Sequence, residues 1–371
     1  MEIKRLVLSN AEEKQKTEIL GERKRVSVYD WLRIIATIFV VIGHSTYLNI
    51  QTTYGGVNYT LPDDLNSVYN TPVLEWLRYL SGWVYGFHMP LFFMLSGATL
   101  ALKPIAQFDV VVKNKVKRLL VPYYVYGWLF MFPIKRIGGF YNDESLKLAL
   151  KGFLYGLDSG HLWFLTALFW CIVSFVALIK ILKLLHINSN YGVLFISGAI
   201  YFTYNYLPFD VIGLKTGLSY LFYFAFGYVF EKERCTNKYW GIKRDIFIYV
   251  ILIIIELIHK KIDILNTFFT VIVGAYMTYL LASILDYLFA NACEHKVWKV
   301  LIRNLFYIYL FHDPLEYIIL KIFINKNMLV TASGCLMYPF MRIVGVFCVS
   351  LLFGELVFCM RSKINYILKQ E

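Results

Sequence analysis

The chain has 371 residues, of which 58% are apolar, 18% aromatic and 17% charged, and its net charge is +12. A soluble domain carries about 25% charged residues, and apolar stretches near the roughly 20 residues needed to cross a bilayer recur along the whole length, so a soluble globular protein is excluded. The basic residues alternate from loop to loop instead of gathering on one face, which reads as membrane topology and not as a nucleic-acid surface.

Residues 1–26 are charged and lack the apolar core of a signal peptide, so they read as a cytoplasmic tail. About ten spans follow, at roughly 27–48, 79–102, 119–138, 162–184, 191–208, 213–230, 245–259, 262–289, 298–321 and 339–360. The seventh is short, and the eighth is open to a re-entrant start. The runs are apolar on all sides, unlike the alternating strands of a transmembrane barrel. The expected fold is an all-α polytopic membrane protein: a ten-helix domain over 27–360, then a cytoplasmic tail over 361–371. With the N-terminus inside, about 25 of the 37 basic residues fall on the inner side. That asymmetry supports an even number of spans and cytoplasmic termini. The longest outer loops are expected at 49–78 and 139–161.

Ionisable groups inside a span are costly unless paired or hydrated, and so mark functional candidates. The first span reads DWLRIIATIFVVIGHS over 30–45. Asp30 and Arg33 are one turn apart. Arg33 and His44 are about three turns apart, within about 20° of each other around the axis and about 16 Å apart along it. Thr37 shares their stripe. That face should line a polar cavity, although an interfacial ion pair plus a histidine bonded to a neighbouring helix is the simpler alternative.

In the second span, GFHMPLFFMLSG over 86–97 places Pro90 mid-helix, where it frees a carbonyl and should kink the chain. His88 lies beside it, and Ser96, Gly97 and Ala98 permit close helix approach. KVKRLLVPYY over 115–124 puts Lys115, Lys117 and Arg118 just before Pro122. These are topology signals or an anion site; Arg suits bidentate phosphate contact. SGHLWFL over 159–165 carries His161 where an outer loop enters the fourth span. RNLFYIYLFHDPLEYI over 303–318 sets His312, Asp313 and Glu316 in an apolar run beside Pro314. His312 and Glu316 are one turn apart on a single face. Glu256, Asp286, Arg342 and Glu355 are further charges in or near spans. No metal-ligand spacing, Walker loop, nucleophile elbow or dinucleotide fingerprint occurs. The cysteines form no CxxC pair and read as buried hydrophobes or idle thiols.

In this order and spacing, DWLRIIATIFVVIGHS, FHMPLFFMLSG, KRLLVPYY, HLWFL and YIYLFH resemble the acyltransferase 3 family of integral-membrane acyltransferases, over about 27–360. The resemblance implies a cytoplasmic acyl-CoA donor and an extracytoplasmic or lipid-linked sugar acceptor. It places the family histidine on His44 and its arginine on Arg33, with Asp30 before it. It also places the basic stretch on Lys117 and Arg118 and the late histidine on His312. Many relatives have paired arginines in the basic stretch, whereas here Lys115 stands three residues before Arg118. The expected activity is therefore O-acyl transfer, most simply acetyl, in a multi-pass cell-membrane protein. In that reading His44, Asp30 and Arg33 are catalytic, and Arg118, Lys117 and Lys115 hold acyl-CoA. His88, Ser96, His161, His312 and Glu316 line the path. The expected partners are acyl-CoA, a glycan and the bilayer; no metal or nucleic acid is expected. A need for extracellular or glycan-synthesis proteins is left open. The rival reading is a transporter or flippase using the same polar path, disfavoured by the lack of an internal repeat.

Overall fold

A computed structural model describes residues 27–46, 49–58, 72–187, 190–236, 242–262, 267–323 and 331–367. The expected N-terminal tail, the acidic Asp63 and Asp64 of the first outer loop, and the start of the eighth expected span lie outside them.

The described chain is almost entirely helical. α1 (Ser27–Ser45) is followed by an antiparallel hairpin of β1 (Asn49–Gln51) and β2 (Gly56–Asn58), in register from Asn49 opposite Asn58 to Gln51 opposite Gly56. α2 (Pro72–Ala101) runs through Pro90 as one continuous helix. α3 (Phe108–Lys115), α4 (Val121–Tyr126) and α5 (Phe132–Ile137) form a single run joined by wider π-helical turns at Val116–Leu120 and Gly127–Met131. Each wide turn leads into a proline, Pro122 or Pro133, which cannot donate an i→i−4 bond.

α6 (Asp143–Leu154) occupies a stretch expected to be loop. Asn142 caps it, its side chain accepting from the Ser145 backbone N–H at 2.7 Å, and Ser145 returns a bond to the Asn142 N–H at 3.0 Å. This reciprocal cap starts the helix. A short 3-10 turn, Gly160–Leu162, opens α7 (Trp163–Leu184). Then come α8 (Asn190–Thr203), α9 (Leu214–Ser219), α10 (Leu221–Thr236) and α11 (Ile242–Ile262). The last helices are α12 (Thr267–Leu288), α13 (Lys296–Phe323) and α14 (Ala332–Ile367).

Among the described residues, five helical stretches are long and apolar enough to cross a membrane: Ser27–Ser45, Arg78–Ala101, Gly160–Leu184, Thr270–Leu288 and Ser333–Met360. This is a membrane protein. The other expected spans fall on helices that are broken (α3 to α5, and α9 with α10), short (α8) or interrupted by charge (α11 and α13). α14 continues to Ile367, past the expected end of the membrane domain.

α1 is the centre of the bundle, packed on α2, α12, α13 and α14. Ser27 donates to Asp286 Oδ2 of α12 at 2.8 Å, tying down its first turn. At the other end, Arg342 Nη2 donates to the His44 carbonyl at 3.1 Å and Tyr338 donates to the Thr46 carbonyl at 3.2 Å. The carbonyls that every helix leaves open at its C-terminus are thus met by α14. α2 and α10 approach backbone to backbone. A Cβ on Gly97 would stand 2.0 Å from the Phe224 carbonyl oxygen, and one on Gly227 would stand 1.9 Å from that of Met94. Only glycine fits at either position, which is the small-residue packing expected at Gly97.

Candidate active site

Inside the bundle lies an open cavity of about 1100 Å³. It is larger than the roughly 300–1,000 Å³ of an ordinary small-molecule pocket. Arg33, Thr37 and His44 line it along α1, and His88 and Ser96 line it from α2. Residues 49–52 of the hairpin also line it. The hairpin is held there by the Gly56 N–H, which donates to the Phe140 carbonyl at 2.9 Å.

The chemistry concentrates on Asp313, which is 4% exposed. Lys135 Nζ, from α5, stands 2.7 Å from Asp313 Oδ2. His161 Nδ1 is 3.2 Å from the same oxygen, and His44 Nδ1 is 3.6 Å from Oδ1. Tyr317 donates to Oδ1 at 3.3 Å. A carboxylate this deep is tolerable only when countered by charge and hydrogen bonds, and here a lysine, two imidazoles and a phenol converge on it. The Lys135 ammonium also sits over the rings of Phe140 and Tyr317, 4.7 and 5.1 Å from their centroids.

Backbone chemistry explains how three histidines reach this point. Pro314 lacks the N–H that would bond the Leu310 carbonyl. His161 Nε2 donates to that freed carbonyl at 2.9 Å. A proline within a span needs such a partner from a neighbouring element, so the same residue that disturbs α13 recruits His161 to it. Tyr309 then donates to the His161 carbonyl at 2.8 Å. Gly160, at φ +49°, makes the turn that brings His161 in beside Lys135. His312 Nδ1 lies 2.7 Å from the Tyr309 carbonyl. The His312 ring centroid is 5.0 Å from that of His44 and 5.3 Å from that of His161.

Asp158, in the loop before α7, also lines the cavity. Burial raises its carboxyl above the usual range, while the nearby Lys135 charge and a hydrogen bond from Tyr141 at 3.3 Å oppose the shift.

Among the expected site residues, His44, Arg33, His88, Ser96, His161 and His312 share this cavity. The rest stand elsewhere. Asp30 is buried off the cavity, its Oδ1 taking Arg33 Nη1 at 2.9 Å. Glu316 lies one turn after His312 on α13, as its spacing predicts, but it does not line the cavity: its Oε2 takes Arg342 Nε at 2.6 Å, with both side chains 1% exposed. Arg342 is longer and permanently charged, and so outcompetes an imidazole for that carboxylate. Lys117 and Arg118 are exposed, Lys115 is half-buried, and none of the three lines the cavity. Desolvation lowers the Lys115 ammonium, with Arg118 and Lys103 adding to the shift. Lys135 and Asp158 were not foreseen. The one usable signal for Lys135 was its place at the end of an apolar run, three residues before Gly138-Gly139.

A family model described as an acyltransferase domain matches residues 27–357. No curated protein and no solved structure matches the chain.

Proposed function

The chain belongs to the acyltransferase 3 family, whose domain spans nearly its whole length, and from that premise we propose that it moves an acyl group, most simply acetyl, from cytoplasmic acyl-CoA to a hydroxyl of an extracytoplasmic or lipid-linked sugar. The protein would sit as a multi-pass protein of the cell membrane. The observation that carries this reading is the cavity wall itself, where His44 and His161 face a buried Lys135–Asp313 pair, with His312 beside them, in a space large enough for two reactants.

In this reading the donor's phosphates rest on the exposed Lys117 and Arg118, and its pantetheine arm rises past Arg33 along α1. The acceptor enters under the hairpin. His44 takes the proton of the acceptor hydroxyl, a task suited to a neutral imidazole. Asp313 orients His44. Its 3.6 Å distance is beyond a hydrogen bond, and such contacts commonly tighten when substrate fills a site. Lys135 offers an N–H to the negative charge that develops on the acyl oxygen, where a water-poor site strengthens the interaction. Asp30 holds Arg33.

The test uses the full-length protein in nanodiscs with labelled acetyl-CoA and a membrane glycan fraction. The wild type is expected to label the glycan, and His44→Ala to lose labelling while inserting normally. Retained labelling in His44→Ala overturns the assignment. Movement of a substrate across the bilayer with no acylation overturns the enzyme reading in favour of a carrier.

A further inference from the structure

His312 has no task in the scheme above. It is 1% exposed and lines the cavity. Its Nδ1 faces the Tyr309 carbonyl at 2.7 Å. A carbonyl only accepts, so Nδ1 must carry the hydrogen, and in the neutral ring the lone pair is left on Nε2. That Nε2 is buried and has no hydrogen-bond partner among the described residues. A buried polar atom without a partner is uncommon and calls for an explanation. The neighbouring histidines are placed differently: His44 and His161 each turn a nitrogen to Asp313, and His161 gives the other to Leu310.

We propose that His312 Nε2 is a nucleophile that carries the acyl group covalently between the two substrates. The proposal rests on the acyl-transfer reading above and adds an intermediate to it. In the first half, Nε2 attacks the thioester carbonyl; the C–N bond forms, the C–S bond breaks, and CoA leaves as the thiolate. The ring is then an acyl-imidazolium whose Nδ1–H still bonds Tyr309, with the Asp313 carboxylate next in sequence to offset its charge. In the second half, His44 takes the hydroxyl proton and the hydroxyl oxygen attacks the same carbonyl. The C–O bond forms and the C–N bond breaks, which returns His312 to its neutral form. The proton on His44 passes to the thiolate, so that acyl-CoA and alcohol become ester and free CoA. With ring centroids 5.0 Å apart, base and carrier are immediate neighbours on the cavity wall.

A covalent carrier predicts a reaction that needs no acceptor: exchange of radiolabel between free CoA and acetyl-CoA. A single displacement does not allow it. The experiment gives the wild-type protein in nanodiscs unlabelled acetyl-CoA and tritiated CoA. Exchange is expected in the wild type, and a fall of roughly 10³-fold or more in His312→Gln, with acetyl-CoA binding by calorimetry unchanged. A purely structural histidine would lose binding as well. Glycan acetylation by the wild type with no exchange overturns the carrier and leaves the proposed function standing. Loss of both overturns the two together. Exchange that persists in His312→Gln also overturns the carrier. Should that variant fail to fold, the position of the acetyl group in acid-quenched wild type decides: on His312 it supports the proposal, on His44 it overturns it.

Discussion

Asp313 gathers more of the site than any other side chain, and its removal separates chemistry from stability. Asp313→Asn strips Lys135 of its buried counter-charge. Breaking a buried pair from one side costs about 3–5 kcal/mol, and loss of the orienting carboxylate should cut acyl transfer on the order of 10²–10⁴-fold. Adding Lys135→Met removes the stranded ammonium. The double variant is expected to regain most of the lost thermal stability in detergent while staying inactive. A double variant no more stable than Asp313→Asn would mean the two charges are not a pair in the protein. At this scale the sequence was informative about which groups are chemically expensive. His44, His312, Asp313 and Glu316 stand out because each interrupts an apolar run. Which of them touch was not readable, because contacts such as Lys135 with Asp313 join residues far apart in the chain. Glu316 shows the consequence: helical spacing set it one turn from His312, and packing delivered its carboxylate to Arg342.

Among elements, α14 does for α1 what a capping residue does for an ordinary helix. Arg342 spends one nitrogen on Glu316 and another on the His44 carbonyl, so it fixes the last turn of α1 and with it the imidazole proposed as the base. In Arg342→Met the buried Glu316 is stranded and the cap is lost. Adding Glu316→Leu should restore melting temperature but not activity, because the His44 carbonyl still lacks its donor. Full recovery of activity in the double variant would show that the cap does not position His44. A second expectation concerns the contact of α2 with α10. Gly227→Val places side-chain atoms into the Met94 backbone, and the helices must part. The yield of monodisperse protein on size-exclusion chromatography should fall sharply, whereas Gly82→Ala, whose Cβ meets nothing within 4 Å, should behave as wild type. Helix existence was legible from apolar length. The hairpin and α6 were not, since both lie in stretches whose polarity reads as loop and are held by a local cap or a single bond to Phe140.

Over the whole molecule, the balance of basic residues predicts that the hairpin faces outward and the α3–α4 junction inward. Cysteine placed at Thr53 should react with an impermeant maleimide on intact cells, and cysteine at Lys117 only after permeabilisation; the reverse pattern would invert the topology and with it the side from which the donor arrives. Of the ten spans expected from hydropathy, five coincide with described helices long and apolar enough to cross a membrane. Of the helices that carry the site histidines, α1, α2 and α7 keep their membrane signal, whereas the charges of α13 weaken its own. The Lys135–Asp313 contact also bears on biogenesis. The ribosome releases Lys135 long before Asp313, so during translation the lysine enters the translocon with no counter-ion and must wait near water. The centre is therefore completed late, when the C-terminal third threads in beside α1. A nascent chain stalled ahead of α13 is expected to be inert toward thioesters and quickly degraded in a pulse-chase, which would spare the cell a half-built transferase.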